Sequence, residues 1–218
     1  MALEAAIERK TAEDVKDQIA EVLTGLESRR KTFDILKRLW LQPLSEYADF
    51  AQRGVELFRK NGASLVSPLS WGCAMVTYPF FGKTAEITGR LLALQGDCSI
   101  KEVQRRMAEI YGDRDGVARA VSRVLQSQES WEMIERVDKG KRLVRKAPVT
   151  LSDEQVVTWL VEAVIRFTGK AVAVPNLQSM AVLYPFVLDQ SLAYAVSTSK
   201  NLELRSEGSN AQFVALRQ

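Results

Sequence analysis

The chain has 218 residues, 46 % hydrophobic and 26 % charged, with a formal net charge of +3, which fits one or two globular domains able to bury a core without disulfides or metal. It contains no histidine and only two cysteines, Cys73 and Cys98, which excludes a histidine general base, a Ser-His-Asp or Cys-His nucleophile pair, a histidine metal ligand and a four-cysteine zinc site. Composition therefore leans toward a binding or scaffold protein without a cofactor. The N-terminus lacks a basic region followed by a long apolar stretch, and no run approaches about 18 uncharged apolar residues; neither a signal peptide nor a membrane span is expected. A reduced, cytoplasmic setting makes the two cysteines small buried side chains.

The first predicted element is a long helix. Thr11 is a suitable N-cap, with Glu13 and Asp14 in the first turn to suit the helix dipole. Apolar residues recur at Val15, Ile19, Val22, Leu26, Phe33, Leu36 and Trp40, with Gly25 and Arg29 weakening the middle. Such a helix either packs against the protein's own helices or self-associates as a short coil. Pro43 ends it. Ser45 is the expected cap of a second helix over 46–60, with Tyr47, Phe50, Ala51, Val55 and Phe58 inward and Asn61-Gly62 as the stop. A third helix, after Ser67-Pro68, carries Trp71, Met75, Val76 and Tyr78 to Pro79, and this aromatic-rich segment reads as core.

Residues 79–151 are the most informative part. A helix over 80–95 has Ile87, Leu91 and Leu94 at helical spacing and Gly96 as its stop. Ser99-Ile100-Lys101-Glu102 is a capping box opening a short helix with Val103, Met107 and Ile110 inward. After Gly112, the turn Asp113-Arg114-Asp115-Gly116 starts a helix that buries Val117, Ala120, Val121, Val124 and Leu125. Its other side carries Arg119, Ser122, Arg123 and Gln126. Strands over 131–137 and 141–150 then meet at Asp138-Lys139-Gly140, a hairpin signal.

Charge is concentrated in this segment. Residues 101–146 hold twelve Lys/Arg against eight Asp/Glu, and 136–146 hold six cations against Asp138, while the rest of the chain is close to neutral. Helix, cap-initiated helix, tight turn, third helix and basic hairpin follow in the order of a winged helix. A third helix that is polar outward suits a major groove about 12 Å wide, and a cationic hairpin suits phosphates. The expected duplex-DNA contacts are Arg105, Arg106, Arg114, Arg119, Ser122, Arg123, Gln126, Lys139, Lys141, Arg142, Arg145 and Lys146. The alternative is that the same module docks a partner protein, its charge merely keeping a hairpin edge solvated.

The last third opens with Ser152-Asp153-Glu154-Gln155, a second capping box, followed by an apolar helix with Val156, Val157, Leu160, Val161, Val164 and Ile165, stopped by Gly169. The chain restarts at Pro175-Asn176, is interrupted at Pro185, and ends in a hairpin turning at 207–210. Helices followed by a hairpin thus recur, and Tyr184-Pro185-Phe186 echoes Tyr78-Pro79-Phe80. A degenerate second winged helix is one reading of 152–218; its hairpin has no basic excess. The expected class is mostly α with small β-hairpins, a central winged helix-turn-helix at 79–151, and helical regions at 1–78 and 152–218.

Enzyme chemistry finds little support. Phe81-Gly82-Lys83-Thr84 ends like a P-loop but lacks the earlier glycine, since Thr77 stands five residues before Gly82. The carboxylate pairs Asp113/Asp115 and Asp153/Glu154 sit at helix starts, where the dipole accounts for them.

Trp71-Gly72-Cys73-Ala74-Met75-Val76-Thr77-Tyr78-Pro79-Phe80-Phe81, with the pattern that follows, resembles the small A component of BREX phage-exclusion systems, over 71–137. The resemblance implies a mostly helical DNA-binding accessory protein of a bacterial defence operon.

Overall fold

A computed structural model describes residues 2–8, 11–207 and 211–217. The fold is mostly helical with three small sheets, an α+β architecture. The chain forms two compact units, Met1–Thr77 and Tyr78–Gln218.

The first unit is helical. α1 (Ala2–Glu8), α2 (Ala12–Val22) and α3 (Leu26–Leu36) precede a π-turn at Lys37–Leu41. A short 3-10 turn at Ser45–Tyr47 leads into α4 (Ala48–Asn61), and α5 (Val66–Thr77) follows. Thr11 caps α2 reciprocally: its hydroxyl accepts from the Asp14 amide at 3.2 Å while its own amide donates to the Asp14 carboxylate at 2.7 Å. The single helix expected from Thr11 to Trp40 is two helices. The chain is extended at Leu23, and the Arg29 side chain turns back to donate to the carbonyls of Leu23 and, at 3.1 Å, Ala20. Arg29, which interrupts the apolar series, thus satisfies carbonyls left open at the end of α2. Ala5, Val15, Ile19 and Phe33 form the adjoining core, while Val22 and Leu26 at the break are exposed. Ser45 does not cap α4; it lies in the 3-10 turn, and the cap residue is Tyr47, whose side chain makes no capping bond. α5 is buried from Pro68 to Val76, as its aromatic-rich sequence predicts.

The second unit begins with α6 (Pro79–Gln95), whose stop, Gly96, adopts the left-handed conformation (φ 79°) that glycine permits. Then come β1 (Asp97–Ser99), α7 (Ile100–Tyr111), α8 (Asp115–Ser130), β2 (Ile134–Val137) and β3 (Arg142–Arg145). β1, β3 and β2 make an antiparallel sheet in that order, with Cys98 opposite Leu143 and Val137 opposite Arg142. β1 is absent from the sequence reading. Thr150 and its neighbours, expected to continue the hairpin, belong instead to β4 (Val149–Leu151), in a different sheet, and 131–133 form the turn out of α8. Leu94 and Ile110, expected inward, are 82 % and 55 % exposed. Each falls in the last turn of its helix, beyond the reach of the facing core.

α9 (Glu154–Thr168) is capped by Asp153, whose carboxylate accepts from the amides of Gln155 (2.9 Å) and Val156 (3.0 Å). β5 (Val172–Ala173) and α10 (Val174–Leu177) come next, then a 3-10 turn at Ala181–Leu183 and β6 (Phe186–Leu188). α11 (Leu192–Ser197) and the strands β7 (Leu202–Glu207) and β8 (Ala211–Leu216) complete the unit. The expected terminal hairpin is thus present; its turn, 208–210, lies outside the described residues. The sheet order β5-β8-β7 repeats that of β1-β3-β2, and helix, strand, helix, helix, hairpin repeats with it, interrupted in the second half by the 3-10 turn and β6. β4 and β6 join the two halves as a parallel pair. α6 completes the junction: Gly82 faces the Phe167 ring and Gly89 faces the Ala181 carbonyl so closely that a Cβ at either position would overlap them. Tyr184 adds a hydroxyl donated to buried Gln128 at 3.0 Å.

Candidate nucleic-acid interface

α8 turns one apolar side inward. Val117, Val121 and Leu125 are buried, and Gln128 continues the same stripe. Their spacing forces Arg119, Arg123 and Gln126 to the opposite side, where all three are exposed. Arg119 and Arg123 are one turn apart. Among the described residues no carboxylate pairs with either, nor with Lys139, Lys141 or Arg145 of the hairpin, all exposed. The hairpin tip is tight: Asp138, Lys139 and Gly140 all have positive φ, closed by the Gly140 amide to the Val137 carbonyl at 3.0 Å. That turn holds Lys139 and Lys141 away from the sheet.

The other expected contacts have local partners. Arg105 pairs with Glu109 at 2.5 Å, Arg106 with Glu102 at 3.9 Å, and Lys146 with Glu132 at 3.9 Å. These are exposed or half-exposed pairs, and such pairs are weak enough to exchange for phosphate. Arg114 donates to the Tyr111 carbonyl at 2.9 Å and so braces the α7–α8 turn. Two half-buried residues are tied to partners within the module. The Ser122 hydroxyl donates to the Ala118 carbonyl at 3.1 Å and accepts from Gln104 at 3.0 Å, fastening α8 to α7. Arg142 makes a two-pronged ion pair with Asp97, across β3 and β1. The guanidinium holds the Asp97 carboxyl below its usual range, and Asp97 in turn raises Arg142.

Asp97, Gln104 and Gln128 support this surface and were missed in the sequence. Gln128 was legible, since it sits where the buried stripe of α8 must continue. A three-residue strand such as β1 offers no periodicity to find Asp97.

Cys73 lies in α5 of the first unit, and Cys98 is buried in β1 between Asp97 and Ser99. Burial pushes the Cys73 thiol well up, and burial together with the Glu102 and Asp97 carboxylates pushes Cys98 up to about 11. Both shifts favour the neutral thiol over the thiolate. Lys83 and Thr84, the P-loop-like pair, lie in the first turns of α6, where Lys83 pairs with Glu86 at 2.6 Å and buried Thr84 bonds the Phe80 carbonyl at 2.8 Å. Among the described residues no helix is long and apolar enough to cross a membrane, and no three Cys, Asp or Glu side chains gather as a metal site.

Compared with known proteins, the chain matches no protein-family model, no curated protein and no solved structure.

Proposed function

We propose that residues 79–151 are a winged helix that binds duplex DNA, with α8 in the major groove and the β2–β3 hairpin along the backbone. The observation that carries this reading is where unpaired positive charge lies. Lys83, Arg90, Arg166 and Arg205 of the same unit each face a carboxylate. Among the described residues Arg119, Arg123, Lys139, Lys141 and Arg145, on the helix and hairpin that this module would present to DNA, face none, whereas Lys101, Lys170 and Lys200, also without a carboxylate partner, stand singly along the chain. Cations held without counter-charge on one surface produce the positive potential that a polyanion seeks. The strand order β1-β3-β2 supports the same module, since it pairs the hairpin with the strand that leads into α7.

In this reading Arg119, Arg123 and Gln126 address base edges, and Lys139, Lys141, Arg145 and Lys146 address phosphates. Arg105, Arg106 and Arg114 are flanking backbone contacts, while Ser122 and Arg142 position the elements. The activity is binding without turnover. The BREX resemblance would make it an accessory activity in bacterial phage defence.

Anisotropy of a labelled duplex of 30 base pairs, titrated at two salt concentrations, tests the proposal. Release of counterions predicts that log affinity falls against log salt with a slope of about −0.9 per phosphate contacted. A salt-independent titration, or none at low salt, would make this module a protein-docking one.

A further inference from the structure

A pocket of about 280 Å³ opens in the first unit at the π-turn Lys37–Leu41, a volume at the small end of the range for ligand sites. The Gln42 amide donates to the Lys37 carbonyl at 2.7 Å, which closes this turn one residue wider than an α-helix would. Lys37, Trp40, Leu41 and Gln42 of the widened turn all line the pocket, and α1 and α4 contribute Ala5 and Val55. Such π-turns recur at functional sites.

Two donors that line it are unsatisfied. Trp40 is 6 % exposed, yet among the described residues no hydrogen bond reaches its indole N–H, although a buried tryptophan ordinarily finds an acceptor. Trp71, Trp131 and Trp159 each engage another group. Lys37 is half-buried and has no carboxylate partner among the described residues, and no Asp or Glu lines the pocket. Gln42 and Gln52, which also line it, are exposed, and Gln52 is turned to Glu56 at 3.4 Å. An ammonium held partly out of water without counter-charge and an indole N–H without an acceptor are both costs that one anionic group relieves.

Charge and shape narrow the ligand. One cation matches a monoanion, whereas phosphoryl groups, with more charge, are held by several cations or a run of backbone amides. A carboxylate offers two oxygens, one for Lys37 and one for Trp40. Ala5, Leu41 and Val55 suit a short hydrocarbon body behind it. We propose that this pocket binds a free, small organic monocarboxylate, with its charge on Lys37 and Trp40 and its apolar end on Ala5, Leu41 and Val55. The proposal does not depend on DNA binding, which uses residues of the second unit.

The test is a titration of the isotope-labelled full chain with butyrate, benzoate and benzamide, read by NMR at the Trp40 indole N–H. Trp40→Phe identifies that signal among the four tryptophans, sequential assignment confirms it, and an unchanged melting temperature verifies the fold of each variant. Butyrate or benzoate should shift the signal to saturation. Lys37→Met, which keeps the stem and removes the charge, should weaken that binding about tenfold. Benzamide, of the same shape but uncharged, should bind about tenfold more weakly than benzoate and be indifferent to Lys37→Met. No shift with either carboxylate at millimolar concentration, or a shift that Lys37→Met leaves unchanged, overturns the proposal. Inorganic phosphate and a free-acid tetrapeptide are titrated beside them. If either shifts the signal where butyrate and benzoate do not, the pocket belongs to a phosphoryl group or to a protein terminus, and the proposal fails.

Discussion

The two halves of the second unit share a strand order and a succession of helix, strand, helix, helix and hairpin, the second half adding a 3-10 turn and β6 before its last helix, yet they differ in what they present to solvent. In 79–151 the third helix, α8, has 16 residues; its counterpart α11 has six. Hairpin β2–β3 carries Lys139, Lys141 and Arg145, which have no carboxylate partner among the described residues. In β7–β8, Arg205 is tied to Glu203 at 2.7 Å, and Arg217 is spent on the Leu202 carbonyl at 3.1 Å. The comparison separates what a topology requires from what a function requires. Turns and buried stripes are retained in both halves, because the strand order depends on them. Length and charge of the exposed helix are independent of that requirement, so a function can reside in one copy alone.

The largest expected effect lies in breaking this asymmetry. Arg119→Ala with Arg123→Ala should weaken duplex binding roughly a hundredfold, measured by anisotropy. Arg205→Ala in the second half and Arg53→Ala in the first unit should leave it within about twofold. Equal losses at all these positions would show that the protein binds through diffuse charge and not through α8.

Next comes the junction of the halves. Gly89→Ala places a methyl against the Ala181 carbonyl and should destabilise the protein by about 1–3 kcal/mol in a urea titration. The obstruction is backbone, so a side-chain rotation cannot relieve it. A neutral outcome would mean that α6 and the 3-10 turn can separate without cost.

The caps offer a smaller and more pointed contrast. α9 starts at Asp153 with two amides satisfied; α8 starts at Arg114 with no side-chain cap. Asp153→Ala should cost about 1 kcal/mol. Arg114→Asp should gain up to about 1 kcal/mol from the new cap while weakening duplex binding. Arg114 would then be a position where stability is forgone for charge; a variant that binds DNA more tightly would contradict this.

The smallest effect concerns pH. Asp97 has a folded-state pKa below its ordinary 3.8, because Arg142 favours the carboxylate. Its contribution is complete above the unfolded value and is lost as pH falls through the folded one. Thermal melts between pH 6 and pH 2 should therefore show a shallower acid decline for Asp97→Asn than for the parent. Identical slopes would place the acid sensitivity at other carboxylates.

Much of the fold was legible because local chemistry specified it. Thr11 and Ser99 cap helices where their sequences say they should, and Gly96, Gly112 and Gly169 stop them with positive φ, while α9 is capped by Asp153, one residue after the Ser152 that its capping-box pattern points to. The buried stripe of α9 followed from spacing, as did those of α7 and α8 apart from exposed Ile110 and half-buried Ala120 and Val124, and so did the exposure of Arg119 and Arg123. The illegible parts share one cause: they depend on partners distant in sequence. Whether Leu94 is covered depends on the 178–189 segment. β1 is a strand because β3 is beside it, and Thr150 belongs to a sheet completed by β6. Arg29 looked like a flaw in a long helix until the carbonyls of Ala20 and Leu23 turned toward it.

The sequence by itself determined where helices start and stop, which side of each is apolar, and which segment holds the excess cations. These are properties of neighbours within a few residues, fixed by backbone sterics, capping bonds and helical periodicity. Tertiary structure alone decided which cations remain unpaired, that Ser122 and Arg142 face inward partners, that the strand order recurs, and that a pocket opens at the π-turn. Each of those depends on a contact between residues far apart in the chain, such as Arg142 with Asp97 or Tyr184 with Gln128, and such contacts form only when packing brings the elements together.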